Sequence, residues 1–117
     1  MSKTMRALVC HEITDDLSGV AVTQKPVPQP GPGEVRLRVE AASVNFPDIL
    51  ICQGKYQLKL EPPFTPGMDM AGTVDAIGEG VDNVKPGDAV AGGARFGGFA
   101  EYALAPAASL RSKPDAM

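Results

Sequence analysis

Glycine and proline punctuate this chain so densely that only short elements of secondary structure fit between them. Thirteen glycines and eleven prolines make up about a fifth of the 117 residues. Proline lacks the backbone N–H that a helix interior or a central strand requires, and glycine favours turns. The stretch 25–33 is rich in both and is predicted to be an extended loop rather than a domain linker. We therefore expect many turns joined by short strands, and no long amphipathic helix.

An alternating pattern identifies the clearest strand. Over residues 34–40, Val35, Leu37 and Val39 alternate with charged side chains, which predicts a half-buried strand with one face toward a core. A compact apolar segment at 47–52, with proline in its first turn, is predicted to form a short helix. Further short strands are predicted at residues 5–10, 20–25, 71–77, 89–91, 99–104 and 109–111. This pattern indicates a mainly β fold, a partly open β-barrel with short helices.

Glycines mark the turns between the later strands. Residues 78–83 begin like a dinucleotide-binding fingerprint but lack its final glycine, and a proline–glycine pair soon afterwards prevents the helix that should follow. A turn there and another at residues 85–88 are the better interpretation. The glycine pairs at 92–93 and 97–98 could bring a loop close to a ligand, but a tight hairpin is the preferred prediction.

Charge and composition argue against several classes of function. A net charge of −3 provides no basic stripe for nucleic acid. The apolar runs are only a few residues long, far short of a membrane span, and the first residues lack the apolar stretch of a secretory signal. Cys10 and Cys52 are few and far apart, as expected for reduced, buried thiols in a cytosol. A cytoplasmic protein that binds neither nucleic acid nor membrane is predicted.

Few side chains in this sequence are candidates for catalysis or ligand binding. The only histidine, His11, falls in or just after the first predicted strand and is expected to be an ordinary surface or edge residue. The phenol of Tyr56 could donate a hydrogen bond or a proton to an oxygen that gains charge. Its ring could equally serve by packing alone. The carboxamide of Asn45 offers both a donor and an acceptor.

Three motifs carry a resemblance to a known family. They are Val-Asn-Phe-Pro-Asp at 44–48, Gly-Lys-Tyr at 54–56 and Pro-Gly-Met-Asp at 66–69. The chain resembles the N-terminal, substrate-side domain of the medium-chain dehydrogenase/reductase superfamily, with the firmest similarity over residues 42–102. The corresponding domain of that superfamily is a GroES-like barrel, in agreement with the fold predicted from the strands.

The resemblance points to a branch of the superfamily that works without zinc. Its zinc alcohol dehydrogenases carry Cys where this chain has Asn45 and His where it has Met68. An amide and a thioether do not normally replace a thiolate and an imidazole around zinc. The four-cysteine lobe of those enzymes is also missing after residues 87–90. The resemblance therefore implies a zinc-free, quinone oxidoreductase-like protein of the zeta-crystallin type, or a related enoyl or alkenal reductase.

The resemblance also implies roles for individual side chains. Asn45 would lie beside the nicotinamide and ribose of NADPH, and Tyr56 would contact the cofactor or substrate and could act as the proton donor. Asp48 matches the acid of the motif and would either contact the ligand or cap the short helix. Asp69 stands where relatives usually have Glu, and its shorter side chain makes a shared role less certain.

Two functions from different classes are compatible with the sequence. The first is the catalytic-domain portion of an NADPH-dependent oxidoreductase that reduces quinones or activated alkenes by hydride transfer. The second is a stand-alone GroES-like binding module without catalysis. Residues 1–117 are expected to form one GroES-like domain without a Rossmann domain, because no strand–turn–helix phosphate fingerprint occurs. The isolated chain is then expected to be inactive. A full-length protein could be a homo-oligomer, and the choice of NADPH over NADH rests on resemblance alone.

Overall fold

A computed structural model describes residues 4–43, 45–56, 60–94 and 96–112. The fold is mainly β, as predicted, with one α-helix and one short 3₁₀ turn at Ala107–Ser109 among the described residues. The elements in chain order are β1 Thr4–Cys10, β2 Val20–Pro26, β3 Glu34–Ser43, α1 Phe46–Gln53, β4 Asp69–Ile77, β5 Ala89–Gly93, β6 Tyr102–Pro106 and β7 Arg111–Ser112.

The strands form two antiparallel sheets. β1 pairs with β2, and a five-stranded sheet has the order β6-β3-β4-β5-β7. The small sheet is joined to the rest by its β1 edge, where the N–H of Leu8 donates to the carbonyl of Phe99 at 2.8 Å and the N–H of Glu101 donates to the carbonyl of Arg6 at 3.1 Å. The described strands thus form two sheets joined by bridges at the β1 edge, consistent with a GroES-like fold, and no continuous ladder among them closes a barrel.

The main core lies on one face of the five-stranded sheet. The alternation predicted for β3 is confirmed, because Val35 and Leu37 are fully buried while Arg36 is directed to Asp75, with 2.7 Å between its Nη2 and an Asp75 oxygen. The core cluster comprises Val35, Leu37, Met70, Val74, Val90, Ala103, Ala105 and Leu110. A second cluster, the α1 cluster, consists of Cys10, Ile51, Cys52 and Phe64 and packs α1 against the end of β1.

Two predicted strand boundaries in the last third of the chain are wrong. The strand predicted at 99–104 begins only at Tyr102, because the N–H of Phe99 donates to the carbonyl of Pro66 at 3.0 Å and its carbonyl is bound by Leu8. The strand predicted at 109–111 begins at Arg111, because Ser109 ends the 3₁₀ turn. The Ser109 hydroxyl donates to the carbonyl of Gly93 at 2.7 Å.

The tight hairpin predicted between the two glycine pairs is also wrong. Strand β5, which contains Gly92 and Gly93, pairs with β4 and β7 rather than with β6. Gly97 and Gly98 lie instead along the preceding loop, where their N–H groups donate to the carbonyls of Thr65 at 2.8 Å and Gly67 at 3.0 Å. A side chain on Gly67 would come within 2.8 Å of the Phe99 nitrogen, so glycine permits this close approach of two loops.

Candidate functional site

The candidate site is built around the N-terminal end of α1. Asn45 is the N-cap residue, with extended backbone (φ −109°, ψ 155°), and Pro47 lies in the first helical turn. Proline suits that position because its missing N–H would have no partner within the helix. The helix ends at Gly54, whose φ of +73° is the left-handed conformation that glycine adopts without strain. The segment predicted as a helix at 47–52 is therefore confirmed with slightly wider bounds.

Asp48 fixes the start of this helix. Its Oδ2 accepts a hydrogen bond from the backbone N–H of Asn45 at 2.9 Å, and its own N–H donates to the carbonyl of Asn45 at 2.9 Å. The residue is only 2% exposed, and its Oδ1 has no hydrogen-bond partner among the described residues. The helix-capping role of Asp48 is thus observed, and its contact with a cofactor stays a prediction.

The side chain of Asn45 joins α1 to the large sheet. Its Nδ2 donates to Oδ2 of Asp69 at 2.7 Å. Asp69 is the first residue of β4 and lies opposite Ser43, near the end of β3, so the two strands bring the carboxylate beside the helix start. Asn45 is half-buried and Asp69 is exposed. The sequence marks Asp69 only as a departure from the usual Glu, and no local pattern predicts this pairing.

Tyr56 lies at the opposite end of α1 from Asn45. It follows the end of the helix by two residues and packs its half-buried ring against the α1 cluster. An eight-residue helix is roughly 12 Å long. Its hydroxyl has no hydrogen bond to another described residue. The structure therefore brings Asn45, Asp48 and Asp69 together. Tyr56 follows the other end of α1 and packs against the same cluster as Met68, the residue before Asp69.

Two free thiols lie at the contact between α1 and β1, Cys52 on the helix and Cys10 at the end of the strand. Cys10 and Cys52 are both buried, as predicted for small apolar side chains. Burial is the main cause that raises the pKa of the Cys52 thiol to about 12, and the adjacent Cys10 thiol and Asp48 carboxylate act in the same direction. Cys52 is therefore a neutral packing residue at physiological pH.

A groove of about 670 Å³ lies next to the Asn45–Asp69 pair. Asp69 and Arg111 contribute its charged lining, and small residues of β3, β4 and β5 form most of the remainder. A second cavity of about 380 Å³ shares no described lining residue with this groove. It contains Lys25, whose Nζ donates to the buried hydroxyl of Thr65 at 3.2 Å.

The residues at the expected zinc-ligand positions have other surroundings. Met68 packs partly buried against the α1 cluster, and Asn45 is committed to Asp69. Within residues 4–43, 45–56, 60–94 and 96–112, no three His, Cys, Asp or Glu side chains lie close enough to hold a metal ion together. His11 is exposed, as predicted. In the same described ranges, no helix has the length and apolar character needed to cross a membrane.

Comparison with known proteins places this arrangement in a family. The family model described as the alcohol dehydrogenase GroES-like domain matches residues 31–115. This chain belongs to that family. The resemblance to the medium-chain dehydrogenase/reductase superfamily read from the motifs is confirmed.

Similar proteins extend this GroES-like domain with further sequence. The rat quinone oxidoreductase-like protein 2 is 40% identical over 114 residues, which cover 97% of this chain and 32% of the rat protein. A probable oxidoreductase from Mycobacterium abscessus superposes with a TM-score of 0.86 at 37% identity, over 96% of this chain and 35% of that structure. A mycobacterial protein solved in complex with NADPH gives a TM-score of 0.85 at 34% identity, over 97% and 35%. The GroES-like domain described here thus spans about a third of the length of the relatives it matches.

Proposed function

We propose that this GroES-like domain is the substrate-side part of an NADPH-dependent reductase that transfers hydride to quinones or activated alkenes without zinc. The observation that carries the proposal is the side chain of Asn45. It is held at the edge of a groove by Asp69, at the position where the zinc alcohol dehydrogenases have a cysteine. An amide at that position binds by hydrogen bonds rather than as a zinc ligand.

The groove is consistent with a cofactor site of which this domain forms one part. Its lining is mostly small residues and includes Asp69, the carboxylate that accepts the hydrogen bond of the half-buried Asn45 amide. The buried Oδ1 of Asp48 is unpaired among the described residues, which marks a second polar group close to the same helix start. When bound, NADPH would supply the hydride. The NADPH-bound mycobacterial relative supports this choice of cofactor. We propose that a Rossmann domain outside residues 1–117 binds the remainder of the NADPH molecule.

This chain's own residues would bind and orient the reactants. Asn45 would donate to, or accept from, the nicotinamide and ribose. Tyr56 would present its hydroxyl to the oxygen of the acceptor, which gains negative charge as hydride arrives. Hydrogen-bond donors directed at that oxygen take over the role that zinc has in the zinc enzymes. The substrate would be a small quinone or enone, and the protein would work in the cytoplasm.

Substitution of Tyr56 in the longer protein tests this proposal. If the hydroxyl donates a proton, Tyr56→Phe lowers the rate of alkene reduction by roughly two to four orders of magnitude, the usual scale for a positioned acid. If the ring only packs, the loss is much smaller, because Phe retains the ring. Quinone reduction should be less sensitive, because its product oxyanion is stabilised by the ring and can take its proton from water.

Tyr102→Phe is the matched control for these steady-state rates. Tyr102 is the other tyrosine of the chain, and its ring lies beneath the Arg36 guanidinium at 5.8 Å, away from α1. Equal and small effects of both substitutions would remove Tyr56 from the chemistry. A longer protein that reduces neither acceptor with NADPH would contradict the proposed function and favour a binding module.

A further inference from the structure

The carboxylate of Asp69 does not contact the reactants in the reaction proposed above, yet it accepts a 2.7 Å hydrogen bond from the side chain of Asn45. We infer that Asp69 is a positioning residue, which holds the Asn45 carboxamide in the one orientation that binds the nicotinamide end of the cofactor. This inference rests on the proposed function. It adds Asp69 as the residue that sets the orientation of the cofactor-binding residue Asn45.

The hydrogen bond defines which way the amide faces. A carboxylate has no N–H, so it can meet the Asn45 side chain only through the amide nitrogen. The 2.7 Å distance from Nδ2 to Oδ2 of Asp69 is short, as expected when the acceptor is charged. Such a bond removes the twofold ambiguity of an asparagine side chain, because the reversed amide would place two oxygens against each other. The second N–H of the amide remains to meet a ligand.

The structure fixes Asn45 from two sides. Its backbone is held by Asp48, whose carboxylate accepts the Asn45 N–H at 2.9 Å. Its side chain is held by Asp69, which stands on the first position of β4 within the large sheet. Asparagine at an N-cap commonly satisfies its own helix, whereas this one also donates to a strand 24 residues further along the chain. α1 and β4 are thereby tied together beside the groove.

The surroundings of Asp69 leave its carboxylate free to accept from Asn45. Its partner across the sheet is Gly93, and a Cβ atom on that glycine would lie 3.3 Å from Oδ1 of Asp69 and 2.9 Å from the carbonyl of Met68. A glycine there leaves room for the carboxylate. No described cation lies within ion-pair distance of Asp69, so the amide of Asn45 is the partner of its charge in the described part of the chain.

The first test uses the 117-residue chain and needs no cofactor. Amide relaxation measured by NMR should show the Asn45 side-chain NH₂ nearly as rigid as the neighbouring backbone. Asp69→Ala should make it as mobile as a free surface amide. Asp82→Ala is the control, because it removes the same charge from an exposed position in the loop after β4, beyond the end of the strand that Asp69 begins. An Asn45 amide that is equally mobile before and after Asp69→Ala would overturn the inference.

The second test measures NADPH binding and turnover by the longer protein in a double-mutant cycle. Loss of one charge-assisted hydrogen bond predicts that Asp69→Ala weakens NADPH binding about tenfold, while kcat changes by less than about threefold. Asn45→Ala should weaken binding similarly, and the double variant should be no worse than Asn45→Ala alone, because Asp69 acts through Asn45. Asp69→Asn, which retains an acceptor of the same size, should recover part of the affinity, and Asp82→Ala should have no effect.

The outcomes separate this inference from the proposed function. If the unaltered longer protein binds NADPH and the two substitutions are additive, Asp69 does not act through Asn45, and only the inference fails. If Asp69→Ala lowers thermal stability and Asp69→Asn leaves binding as weak as Asp69→Ala, the role is structural and the inference also fails. If the unaltered longer protein binds no NADPH, the proposed function fails, and the inference fails with it.

Discussion

Asp48 is a carboxylate with almost no access to solvent and only one of its two oxygens paired among the described residues. Burial of an incompletely paired charge is costly. The first turn of a helix offsets part of that cost, because its free N–H groups and dipole favour a negative charge. Asp48 is therefore suited to hold the backbone of Asn45 in place. Asp48 is buried and Asp69 is exposed, so of the two carboxylates only that of Asp69 is open to solvent.

The Cys52 thiol makes the stability of the domain sensitive to alkaline pH. Burial raises its pKa from 9.0 to about 12 in the folded state. The unfolded chain releases the proton near pH 9, whereas the folded chain retains it. The stabilisation by the neutral thiol is therefore complete below pH 9 and is lost as the pH rises toward 12. We expect the free energy of unfolding to fall more steeply above pH 9 in the unaltered chain than in Cys52→Ala.

Urea denaturation at pH 8 and pH 10.5 checks this expectation. All other titrating groups are common to the two proteins, so the difference between their pH dependences isolates the thiol. Parallel curves for the unaltered chain and Cys52→Ala would show that Cys52 titrates normally in the folded state.

Residue roles were predictable from sequence only where partners are close in the chain. The Asn45–Asp48 pairing has the three-residue spacing of a capping box and could be anticipated. The Asn45–Asp69 bond could not. It depends on the register of β3 against β4, and that register shifts between Arg36 and Leu37 and again between Val39 and Ala41. A β-bulge of this kind leaves no reliable signal in a hydrophobic pattern.

At the scale of single elements, α1 is a short helix whose two ends are defined by capping residues. Asn45 and Asp48 define its start and Gly54 its end, while Ile51 and Cys52 bury its inner face. Two of the residues proposed to contact a ligand lie outside its helical turns, Asn45 at the N-cap and Tyr56 in the segment after Gly54. The helix therefore connects the two proposed contact residues in the chain while its inner face packs against the α1 cluster.

The junction between β4 and the loop before β3 depends on Gly78. A Cβ atom there would lie 1.9 Å from the carbonyl oxygen of Gly31. We expect Gly78→Ala to lower the free energy of unfolding by about 3 kcal/mol, because backbone atoms must move to relieve the clash. Gly80→Ala, with a φ of +84° and open space around it, should cost only about 1 kcal/mol of conformational strain.

Chemical denaturation of the two variants beside the unaltered chain distinguishes these effects. The comparison is matched, since both substitutions add one methyl group to the same turn. Similar losses of stability would mean that the close approach of Gly78 to Gly31 does not constrain the fold.

Elements with strong periodicity were predicted well, and those fixed by distant partners were not. The alternation of β3 reflects burial on one side of a sheet, which the sequence records directly. The segment at Phe99 has strand-like residues, but its backbone groups are taken by Leu8 and Pro66. Tertiary hydrogen bonds override local propensity there. The loop formed by Gly97 and Gly98 was missed for the same reason.

At the scale of the whole molecule, the domain is expected to bind no stoichiometric zinc. By the motif resemblance, Asn45 and Met68 stand where the zinc enzymes carry two zinc ligands, and neither side chain normally binds that metal. Elemental analysis of the chain, purified without a metal-affinity tag, should give far less than one zinc per molecule. A zinc alcohol dehydrogenase purified in parallel is the control. One zinc per chain that survives dialysis against a chelator would show that another set of ligands exists.

The family and the general fold were predictable from the sequence because short motifs and turn spacing carry them. The groove was not, because its lining comes from strands far apart in the chain, including β3, β4 and β5. The small side chains that form it look like ordinary strand residues in sequence. Only the order of the strands in the sheet shows that they face a common space.

The hydrogen bonds between β1 and residues 99–101 can form only late in synthesis on the ribosome. Leu8 and Arg6 are made first, but their partners Phe99 and Glu101 are made about ninety residues later. Until then one edge of β1 stays open, and an unpaired edge is a site for association with other chains. Contacts between such distant segments also make folding slow. For about ninety residues of synthesis, the first strand is therefore able to pair with the wrong neighbour.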